Sequence, residues 1–520
     1  MMWPHESRRP VPSTSARGRR PKVALARLNR HRPNLEPLEG RALMTAGALD
    51  PTFNGTGTVL TAINSASGGG HMAVAIQYDS ANYLKTVVVA TTTIAQRHGS
   101  ESVYAVARYN PNGTLDSTFG SGGEVDIPVT AGSTAPVVQA QGDGKIVIAG
   151  GTEVTYGVGK HAVTRQDLLV LRLNPNGSLD TTFNGSGEAI LDIPAKGNIA
   201  ACGLAILSTR QIVVGGSTMN QTGFLAARWN ANGTIDTTFG PNGQGYVTTS
   251  TGQALLLDAN EMALDGSGNI LLVGGDTAAG IQYPAVVRFT AAGFPDATFG
   301  NNGEVLLNPP SPSETWAFGV GVQSTGQIVV CANFDNPVGG VCRLNANGTL
   351  DTTFGSGGYF ILPTDAVALA LTVQPDDKIL LAGGTPAGGT KAFTVDRVLA
   401  DGSSLDTAFG SGGEAAATFS NYGAGALAIA LGPDGKITVT GEVSVSPSLG
   451  EPGMARFLND ITTNTAMTTA NTTASPTAAM AASPVAPANG PSSLALAPLV
   501  LDSPDLVDAL HLLSKRRGTH

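Results

Sequence analysis

RLNANGTLDTTFGSGG, residues 343–358, is the clearest copy of a phrase that the chain repeats seven times, in full or in part. An Arg ends an apolar run, an Asn-Gly or Asp-Gly turn follows, and the phrase closes on Leu-Asp-x-Thr-Phe-Gly or a near variant. The closing phenylalanines are 66, 64, 56, 60, 55 and 55 residues apart: Phe53, Phe119, Phe183, Phe239, Phe299, Phe354 and Phe409. A period of this length is typical of propeller blades and solenoid repeats.

An Arg precedes each of the last six phenylalanines by 11 residues, except Arg397, which precedes Phe409 by 12. This near-constant spacing predicts one rigid hairpin that is copied around the fold. Within it we expect a bidentate Arg–carboxylate bond between Arg108 and Asp116, Arg172 and Asp180, Arg228 and Asp236, Arg288 and Asp296, and Arg343 and Asp351. A catalytic site is needed once, so we interpret these repeated pairs as structural. The phenylalanines are interpreted as packing between blades rather than as sugar-stacking residues.

Each unit contains three apolar runs of strand length, which in unit 2 are residues 136–140, 145–150 and 167–173. Each run is bounded by residues that favour turns, and no stretch with helical periodicity interrupts the runs. Asp-Gly turns join the first two runs, and a fourth extended segment, such as residues 118–128, follows the Asn-Gly turn. Four antiparallel strands repeated about seven times predict an all-β, seven-bladed β-propeller.

The two ends of the repeat region predict how the ring closes. Residues 49–53 begin it as a fourth strand without partners, whereas the last unit ends after its third strand, at residues 454–458. Pairing the two would cover both exposed strand edges and complete seven blades.

The phrase LDTTFGSGG after RLNANG resembles the bacterial delta-60 repeat family, over roughly residues 49–459. Members of that family are thought to form propellers and have no assigned biochemistry. Near the amino terminus, LEPLEGRAL at residues 35–43 resembles the LEPR-x-LL motif of large exported planctomycete proteins, from which it departs at Leu38-Glu39-Gly40 and Met44. This second resemblance implies an extracellular or cell-surface location.

Composition divides the chain into four parts: a basic disordered leader or export segment (1–46), the propeller (47–460), a Thr/Ala/Pro-rich linker (461–492) and a C-terminal tail (493–520). The linker composition cannot bury enough apolar surface to fold. Leucines in the tail have near-helical spacing, so an anchoring helix and a marginal tail helix both stay open. The leader holds ten Arg or Lys against three Glu, which leaves about −16 for the remainder of a chain whose net charge is −9. An acidic body argues against nucleic acid as a partner.

The chain has no apolar run of about 18 residues, so no transmembrane segment is predicted. Its leader also lacks the apolar core of a secretory signal.

Of three cysteines, Cys331 and Cys342 are expected on adjacent strands, where buried free thiols are favoured over a disulfide. The propeller is predicted to be a monomer.

Loop length separates the two faces of the predicted ring. One face holds the short turns of constant length, and the other holds the longest insertions, residues 91–101, 152–166 and 308–315. Variable loops on a constant scaffold favour a binding site. The candidate binding residues are in the loops of blades 1 and 2: Arg97, His98, Tyr156, Lys160, His161 and Arg165.

No metal site is predicted, although His71, His98 and His161 all fall in these loops, because no HxH or HxxxH spacing supports one. The repeated Asn-x-Asn-Gly-x-Leu-Asp is loosely similar to a calcium loop. It lacks several carboxylates and the closing Glu, so turns held by Asx hydrogen bonds are favoured over calcium. No GxSxG, Walker, HExxH or CxxC motif is present, and no catalytic residues are assigned.

Three functions remain open from the sequence. The favoured one is an exported or cell-surface scaffold that binds a surface glycan or protein through the loops of blades 1 and 2. The second is a polysaccharide hydrolase or lyase, whose carboxylates would converge at the central channel. The third is a structural envelope protein without a small ligand.

Overall fold

The computed structural model describes residues 45–60, 72–78, 84–96, 99–130, 136–158, 161–193, 199–218, 223–241, 243–249, 259–278, 281–308, 316–335, 338–363, 366–384, 392–419, 423–446 and 449–460. These residues form seven four-stranded antiparallel sheets. The prediction of an all-β, seven-bladed propeller is confirmed. The leader up to residue 44, the linker and the C-terminal tail lie outside the described residues.

Blades 1 to 3 contain β2 (Met72–Tyr78), β3 (Leu84–Gln96), β4 (Gly99–Tyr109) and β5 (Glu124–Val129); β6 (Val137–Ala140), β7 (Ile146–Tyr156), β8 (Val163–Leu173) and β9 (Glu188–Leu191); and β10 (Ile199–Ile206), β11 (Ile212–Thr218), β12 (Gly223–Trp229) and β13 (Tyr246–Thr248). Blades 4 to 6 contain β14 (Ala259–Leu264), β15 (Ile270–Ala278), β16 (Ile281–Phe289) and β17 (Glu304–Leu306); β18 (Ala317–Val322), β19 (Ile328–Asp335), β20 (Val338–Leu344) and β21 (Tyr359–Ile361); and β22 (Val367–Val373), β23 (Ile379–Gly384), β24 (Ala392–Val398) and β25 (Glu414–Thr418). Blade 7 contains β26 (Gly423–Leu431), β27 (Ile437–Ser446), β28 (Leu449–Phe457) and, from the other end of the chain, β1 (Thr58–Leu60).

The first strands of successive blades contact one another around the whole ring, including β26 with β2. The inner strands therefore surround the axis, and each blade is packed between two neighbours. This explains the near-continuous apolar runs of the sequence: β11 and β23 are buried at every position, because both faces of the sheet are covered.

One joint recurs between blades, and blade 2 shows it fully. Arg172 Nε donates to Asp180 Oδ2 at 2.7 Å, while Asp180 Oδ1 accepts from the backbone N–H and the hydroxyl of Thr182. Arg172 Nη1 then donates to the carbonyl of Ala231 in blade 3 at 2.6 Å. The same guanidinium lies 4.6 Å from the ring centroid of Phe183, which is fully buried. A single Arg thus fixes its own hairpin and reaches the next blade.

The Arg–Asp contact is made by one nitrogen and one oxygen, not by the bidentate fork that the sequence led us to expect. The terminal nitrogens are used elsewhere, on the neighbouring carbonyl and on the Thr hydroxyl. The Nε–Oδ2 distances are 2.8 Å for Arg108–Asp116, 2.7 Å for Arg228–Asp236, 2.8 Å for Arg288–Asp296 and 2.8 Å for Arg343–Asp351. The guanidinium also lies 4.6 Å from the centroid of Phe119, 4.8 Å from Phe239, 4.5 Å from Phe299 and 4.7 Å from Phe354.

The ring closes through β1, which pairs antiparallel with β28, with Thr58 opposite Ala455. Closure by the amino-terminal segment is thus as predicted, but the strand is shifted. Residues 49–53 form a turn with one bridge, Leu49 to Phe457, and the paired strand starts at Thr58. The same shift occurs in blade 1, where β5 starts at Glu124 rather than at residue 118. In both, the glycine-containing segment after Thr-Phe turns before the chain can pair.

Two segments predicted as insertion loops are mostly strand. Residues 91–101 continue the β3–β4 ladder to Gln96 opposite Gly99, and residues 152–166 continue β7–β8 to Tyr156 opposite Val163. The sequence Thr91-Thr92-Thr93 favours a pleated strand and contains no turn residue that would end it. The insertions are therefore protruding β-hairpins.

The three cysteines, Cys202, Cys331 and Cys342, are free and buried. Cys331 pairs with Val341 rather than with Cys342 in the ladder, so the two thiols are not cross-strand partners. The favoured prediction of free thiols agrees with this arrangement. In the described part of the chain, no helix is long and apolar enough to cross a bilayer.

Candidate functional site

Three neighbouring blades carry the longest hairpins. The second strand has 10 residues in blade 7, 13 in blade 1 and 11 in blade 2. It has 7, 9, 8 and 6 residues in blades 3 to 6. Because blades 7, 1 and 2 are neighbours, their long hairpins lie side by side on the face of the propeller where the second and third strands are joined. The sequence indicated the hairpins of blades 1 and 2 and missed that of blade 7.

The blade 2 hairpin is fixed to blade 1 at its base. Tyr104 of β4 donates its hydroxyl hydrogen to the carbonyl of Gly151 at 3.0 Å. A Cβ at Gly150 would lie 2.2 Å from the Tyr104 hydroxyl oxygen, so only glycine leaves room for this contact. The hydroxyl of Thr130 also accepts from the N–H of Glu153 at 2.5 Å. These contacts hold the hairpin with one face turned towards blade 1.

An unrepeated cluster lies on that face, where the register pairs Thr152 with Asp167, Val154 with Arg165 and Tyr156 with Val163. The guanidinium of Arg165 is 4.0 Å from the centroid of the Tyr156 ring. The Tyr156 hydroxyl donates to Asp167 Oδ2, and Arg165 Nε is 3.4 Å from Asp167 Oδ1. Arg165 Nη2 also donates to Asp192, the residue that follows β9. We call these four residues, Tyr156, Arg165, Asp167 and Asp192, the blade 2 cluster.

Burial and neighbouring charges shift the protonation of this cluster. Asp167 is fully buried, and burial together with the charge of Asp192 raises its pKa despite the hydrogen bond from Tyr156. Burial and the hydrogen bond to Asp167 raise the pKa of Tyr156 to about 12. Asp167 Oδ1 and Arg165 Nε are buried and make no hydrogen bond. These two atoms are held together by their opposite charges alone, at 3.4 Å.

The structure brings together two of the six predicted binding residues, Tyr156 and Arg165. His161 is exposed near the tip of the same hairpin. Arg97, His98 and Lys160 lie outside the described residues, as does His71. Sequence reasoning missed Asp167 and Asp192. The only signal for Asp167 was its position directly before the apolar run at residues 168–171, whereas nothing local linked Asp192 to the site.

The described residues offer little to a metal ion. They contain no group of three or more His, Cys, Asp or Glu side chains able to hold one. In the Asn-x-Asn-Gly turn of blade 2, whose sequence is loosely similar to a calcium loop, Asn176 Oδ1 accepts from the N–H and the hydroxyl of Ser178. Asn174 Nδ2 donates to the same hydroxyl at 3.1 Å. These side chains serve the turn itself.

Among the described residues outside the repeated joints, two other acidic residues are buried away from the blade 2 cluster. Glu261 on inner strand β14 accepts from the N–H of Val320 in blade 5 at 2.9 Å, and burial raises its pKa well above its usual value. Asp396 on β24 lies opposite Glu414, and burial together with the Glu414 charge raises the pKa of Asp396 to about 7. Each acts within the packing of the ring, so neither defines an open site.

Solved structures with a similar arrangement have low sequence identity. A protein of unknown function from Dyadobacter fermentans has 11% identity and a TM-score of 0.41, covering 77% of this chain and 97% of its own. The polysaccharide lyase Uly1 has 9% identity and a TM-score of 0.40, covering 72% and 88%. The Aleuria aurantia lectin has 11% identity and a TM-score of 0.32, covering 63% and 92%. Such values carry no argument about a ligand or an activity.

Sequence comparison gives a more local result. No curated protein matches the chain. Five segments match a family described as a domain of unknown function (DUF5122) beta-propeller: residues 85–119, 141–183, 207–239, 266–299 and 323–354. Each match begins near the second strand of a blade and ends at its closing Phe, so that the family repeat coincides with the joint described above. Together with the seven blades, these matches are consistent with a β-propeller repeat family.

Proposed function

We propose that the protein is an exported or cell-surface scaffold that binds a surface glycan through the blade 2 cluster and the adjoining hairpin of blade 1. The observation that carries this proposal is the contrast between the two faces. One face repeats the same Arg–Asp–Phe joint around the ring, whereas the other carries a cluster of aromatic and charged side chains that occurs once among the residues the structure describes. Repetition fits a structural role, and a ligand needs only one site.

The repeated joint has little left to offer a ligand. Arg172 uses Nε on Asp180, Nη1 on a neighbouring carbonyl and Nη2 on Thr182. The Phe rings are fully buried and cannot stack on a sugar. A binding surface must therefore be built from residues outside the repeat.

The chemistry of the blade 2 cluster favours a sugar. Ligand sites combine apolar and aromatic surface with a few polar groups that fix orientation. Tyr156 provides a half-buried aromatic ring, and Val163 opposite it is 57% exposed. Arg165 and Asp192 provide donors and acceptors of the kind that sugar hydroxyls need, and the buried Asp167 holds Arg165 in place. A protein ligand would engage a larger surface and is kept as an outcome of the test.

The location is inferred from the amino-terminal resemblance. The LEPLEGRAL segment at residues 35–43 and the basic leader favour export, and the acidic body disfavours nucleic acid as a partner. A scaffold outside the cell would meet glycans or proteins of the surface.

The test is binding of the full chain to an array of surface polysaccharides, compared with a Tyr156→Ala variant. We expect at least one polysaccharide to bind and Tyr156→Ala to lose about tenfold or more in affinity, as expected for a central aromatic contact. Tyr283→Ala in the blade 4 hairpin is the matched control, since Tyr283 is also half-buried on a third strand. Equal binding by wild type and Tyr156→Ala contradicts the placement. Binding only to a protein extract contradicts the glycan ligand.

A polysaccharide hydrolase or lyase is the second candidate, and the Asp167–Tyr156 pair favours it. A buried carboxyl with a raised pKa is suited to proton transfer. Release of reducing ends or unsaturated products from a polysaccharide that binds would establish this function, and Asp167→Asn should then abolish turnover while binding is kept. Absence of both binding and turnover would favour a structural envelope protein.

A further inference from the structure

We infer that Arg165 binds the carboxylate of an acidic sugar residue, in the position that the Asp192 carboxylate occupies in the unliganded protein. This inference rests on the proposed glycan-binding function and names the class of glycan. It follows from the unequal roles of the two carboxylates that contact Arg165.

Asp167 is the fixed partner of Arg165. It is fully buried on the same strand, and its second oxygen is held by the Tyr156 hydroxyl. The Tyr156 ring packs against the guanidinium at 4.0 Å, which restricts the orientation of Arg165. The Arg side chain is only 16% exposed, so it is positioned before any ligand arrives.

Asp192 is the exchangeable partner. Its side chain is 37% exposed, and it follows the end of β9 rather than lying inside a strand. Asp192 is solvated once it leaves Arg165, and Arg165 keeps its contact with Asp167, so separating the exposed pair costs little stability. A ligand carboxylate can therefore replace Asp192 on Arg165 at small cost, and a planar guanidinium is suited to bind either one.

The surroundings fit a sugar ring attached to that carboxylate. Val163 lies opposite Tyr156 on the hairpin and exposes apolar surface next to the tyrosine ring. Asp167 Oδ1 accepts no hydrogen bond, although it is buried beside Arg165 Nε. At 3.4 Å from that nitrogen, Oδ1 holds the guanidinium in place below the exposed part of the cluster.

The acidic body opposes an anionic ligand, but mainly at a distance. At physiological ionic strength, charges separated by more than about 8 Å are largely screened, whereas a contact ion pair is not. Of the two carboxylates beside Arg165, Asp192 is the exposed one, and displacement moves its charge into solvent. Binding should therefore weaken at very low salt, where the whole acidic body repels the ligand, and also at high salt, where the ion pair is screened.

The experiment uses polygalacturonate as the acidic probe and the same polymer with its carboxylates methyl-esterified as the neutral control. Binding of the full chain is measured by isothermal titration calorimetry at about pH 7 and 0.15 M salt. We expect polygalacturonate to bind and the methyl ester to bind about tenfold more weakly or not at all.

Two variants should change the affinity in opposite directions. Arg165→Met removes the cation and should abolish the preference for the acidic polymer. Asp192→Asn removes the internal competitor and should raise affinity for polygalacturonate several-fold while leaving the methyl ester unaffected. Arg210→Met is the matched control, because Arg210 is 65% exposed in blade 3 and pairs with Asp143 instead. Arg165→Met combined with Asp167→Asn avoids leaving a buried charge unpaired, and thermal unfolding confirms that each variant is folded.

The outcomes separate the inference from the function on which it rests. Equal affinity for both polymers, unchanged binding in folded Arg165→Met, or weaker binding in Asp192→Asn would overturn the role of Arg165. Binding of neutral glycans alone, still lost in Tyr156→Ala, would keep the proposed function and reject the acidic ligand. Binding of no polysaccharide at all would reject both.

Discussion

Arg456 Nε donates to Asp50 Oδ2 at 2.7 Å, across 406 residues of sequence. The same bond joins Arg343 and Asp351, eight residues apart, at 2.8 Å. Lys436 Nζ adds a second contact to Asp50 at 2.9 Å, just as Lys145 contacts Asp180 in blade 2 at 2.7 Å. The amino-terminal segment thus reproduces in blade 7 the joint that other blades build locally.

Removing Asp50 should destabilise the ring more than removing its local counterpart. Either Asp50→Ala or Asp351→Ala leaves a buried Arg without its carboxylate, at a cost of about 3 to 5 kcal/mol. Only Asp50→Ala also loosens the closure, since it detaches the segment that carries β1. We expect hydrogen exchange at residues 45–60 and 449–457 to accelerate in Asp50→Ala and to stay slow in Asp351→Ala. Similar exchange in both variants would mean that this bond is not needed to hold the closure.

The closure should weaken in acid. Burial opposes ionisation of Asp50, but hydrogen bonds from Thr52 and Lys436 and the charge of Arg456 outweigh it and lower the pKa of Asp50 to about 2. Because the pKa of Asp50 is lowered on folding, this carboxyl raises the free energy of unfolding at pH values above its unfolded pKa of 3.8. That contribution is lost as pH falls through about 2. For Asp50 it amounts to about 2 kcal/mol. Denaturation between pH 5 and pH 2 should show a smaller loss of unfolding free energy in Asp50→Asn than in wild type.

Asp396→Val should stabilise the protein, most strongly at alkaline pH. In six other blades the residue before the Arg is buried and uncharged, as with Leu171 and Val287, whereas Asp396 is a carboxyl with one oxygen unpaired. Because the pKa of Asp396 is raised, its carboxyl does not reduce the free energy of unfolding below the unfolded pKa of 3.8. Above that value the free energy of unfolding falls as pH rises towards 7. The gain in unfolding free energy should therefore be larger by about 3 kcal/mol at pH 8 than at pH 5.

Thr394→Val is the control for Asp396→Val. Thr394 lies on the same face of β24, is equally buried and has an unpaired hydroxyl that does not titrate. Urea denaturation should show a gain that is the same at both pH values. A gain for Asp396→Val that is likewise independent of pH would contradict the raised pKa.

Gly348→Ala should lower the free energy of unfolding, because this glycine packs against the Phe of the preceding blade. Its φ is +86°, and a Cβ there would lie 2.9 Å from the backbone nitrogen of Gly300 and 3.0 Å from Phe299. Gly357→Ala in the same blade has φ +65° and nothing within 4 Å, so it isolates the backbone strain. We expect a loss of about 1 kcal/mol for Gly357→Ala and about 3 kcal/mol or more for Gly348→Ala in urea denaturation. Equal losses would show that the contact between blades yields easily.

The three thiols should react only when the ring opens. Burial raises the pKa of Cys202, Cys331 and Cys342, which suppresses the reactive thiolate as well as access. With Ellman's reagent we expect no fast reaction in the folded protein and three thiols in urea. Two missing thiols in unreduced, unfolded protein would indicate a disulfide and contradict the free state.

The sequence was sufficient for the architecture because each blade is specified locally. The Arg-to-Phe spacing, the Asn-Gly turns and the runs of β-branched residues act within a few tens of residues, and their repetition fixes the number of blades. Closure could be predicted from the unmatched ends, since an open ring would expose two strand edges. The shift of the closing strand from residues 49–53 to β1 could not, because it depends on where the turn after Phe53 ends.

Only the tertiary structure brought the residues of the candidate site together. Tyr156 and Arg165 were predicted from the sequence as residues of an insertion, but Asp192 contacts Arg165 from the segment after β9 and carries no local signal of doing so. Asp167 is buried by the packing of blade 2 on blade 1, and its pKa depends on that burial. Repetition along the chain determines how the ring is built, whereas the chemistry of one hairpin depends on side chains that meet only after the blades have packed.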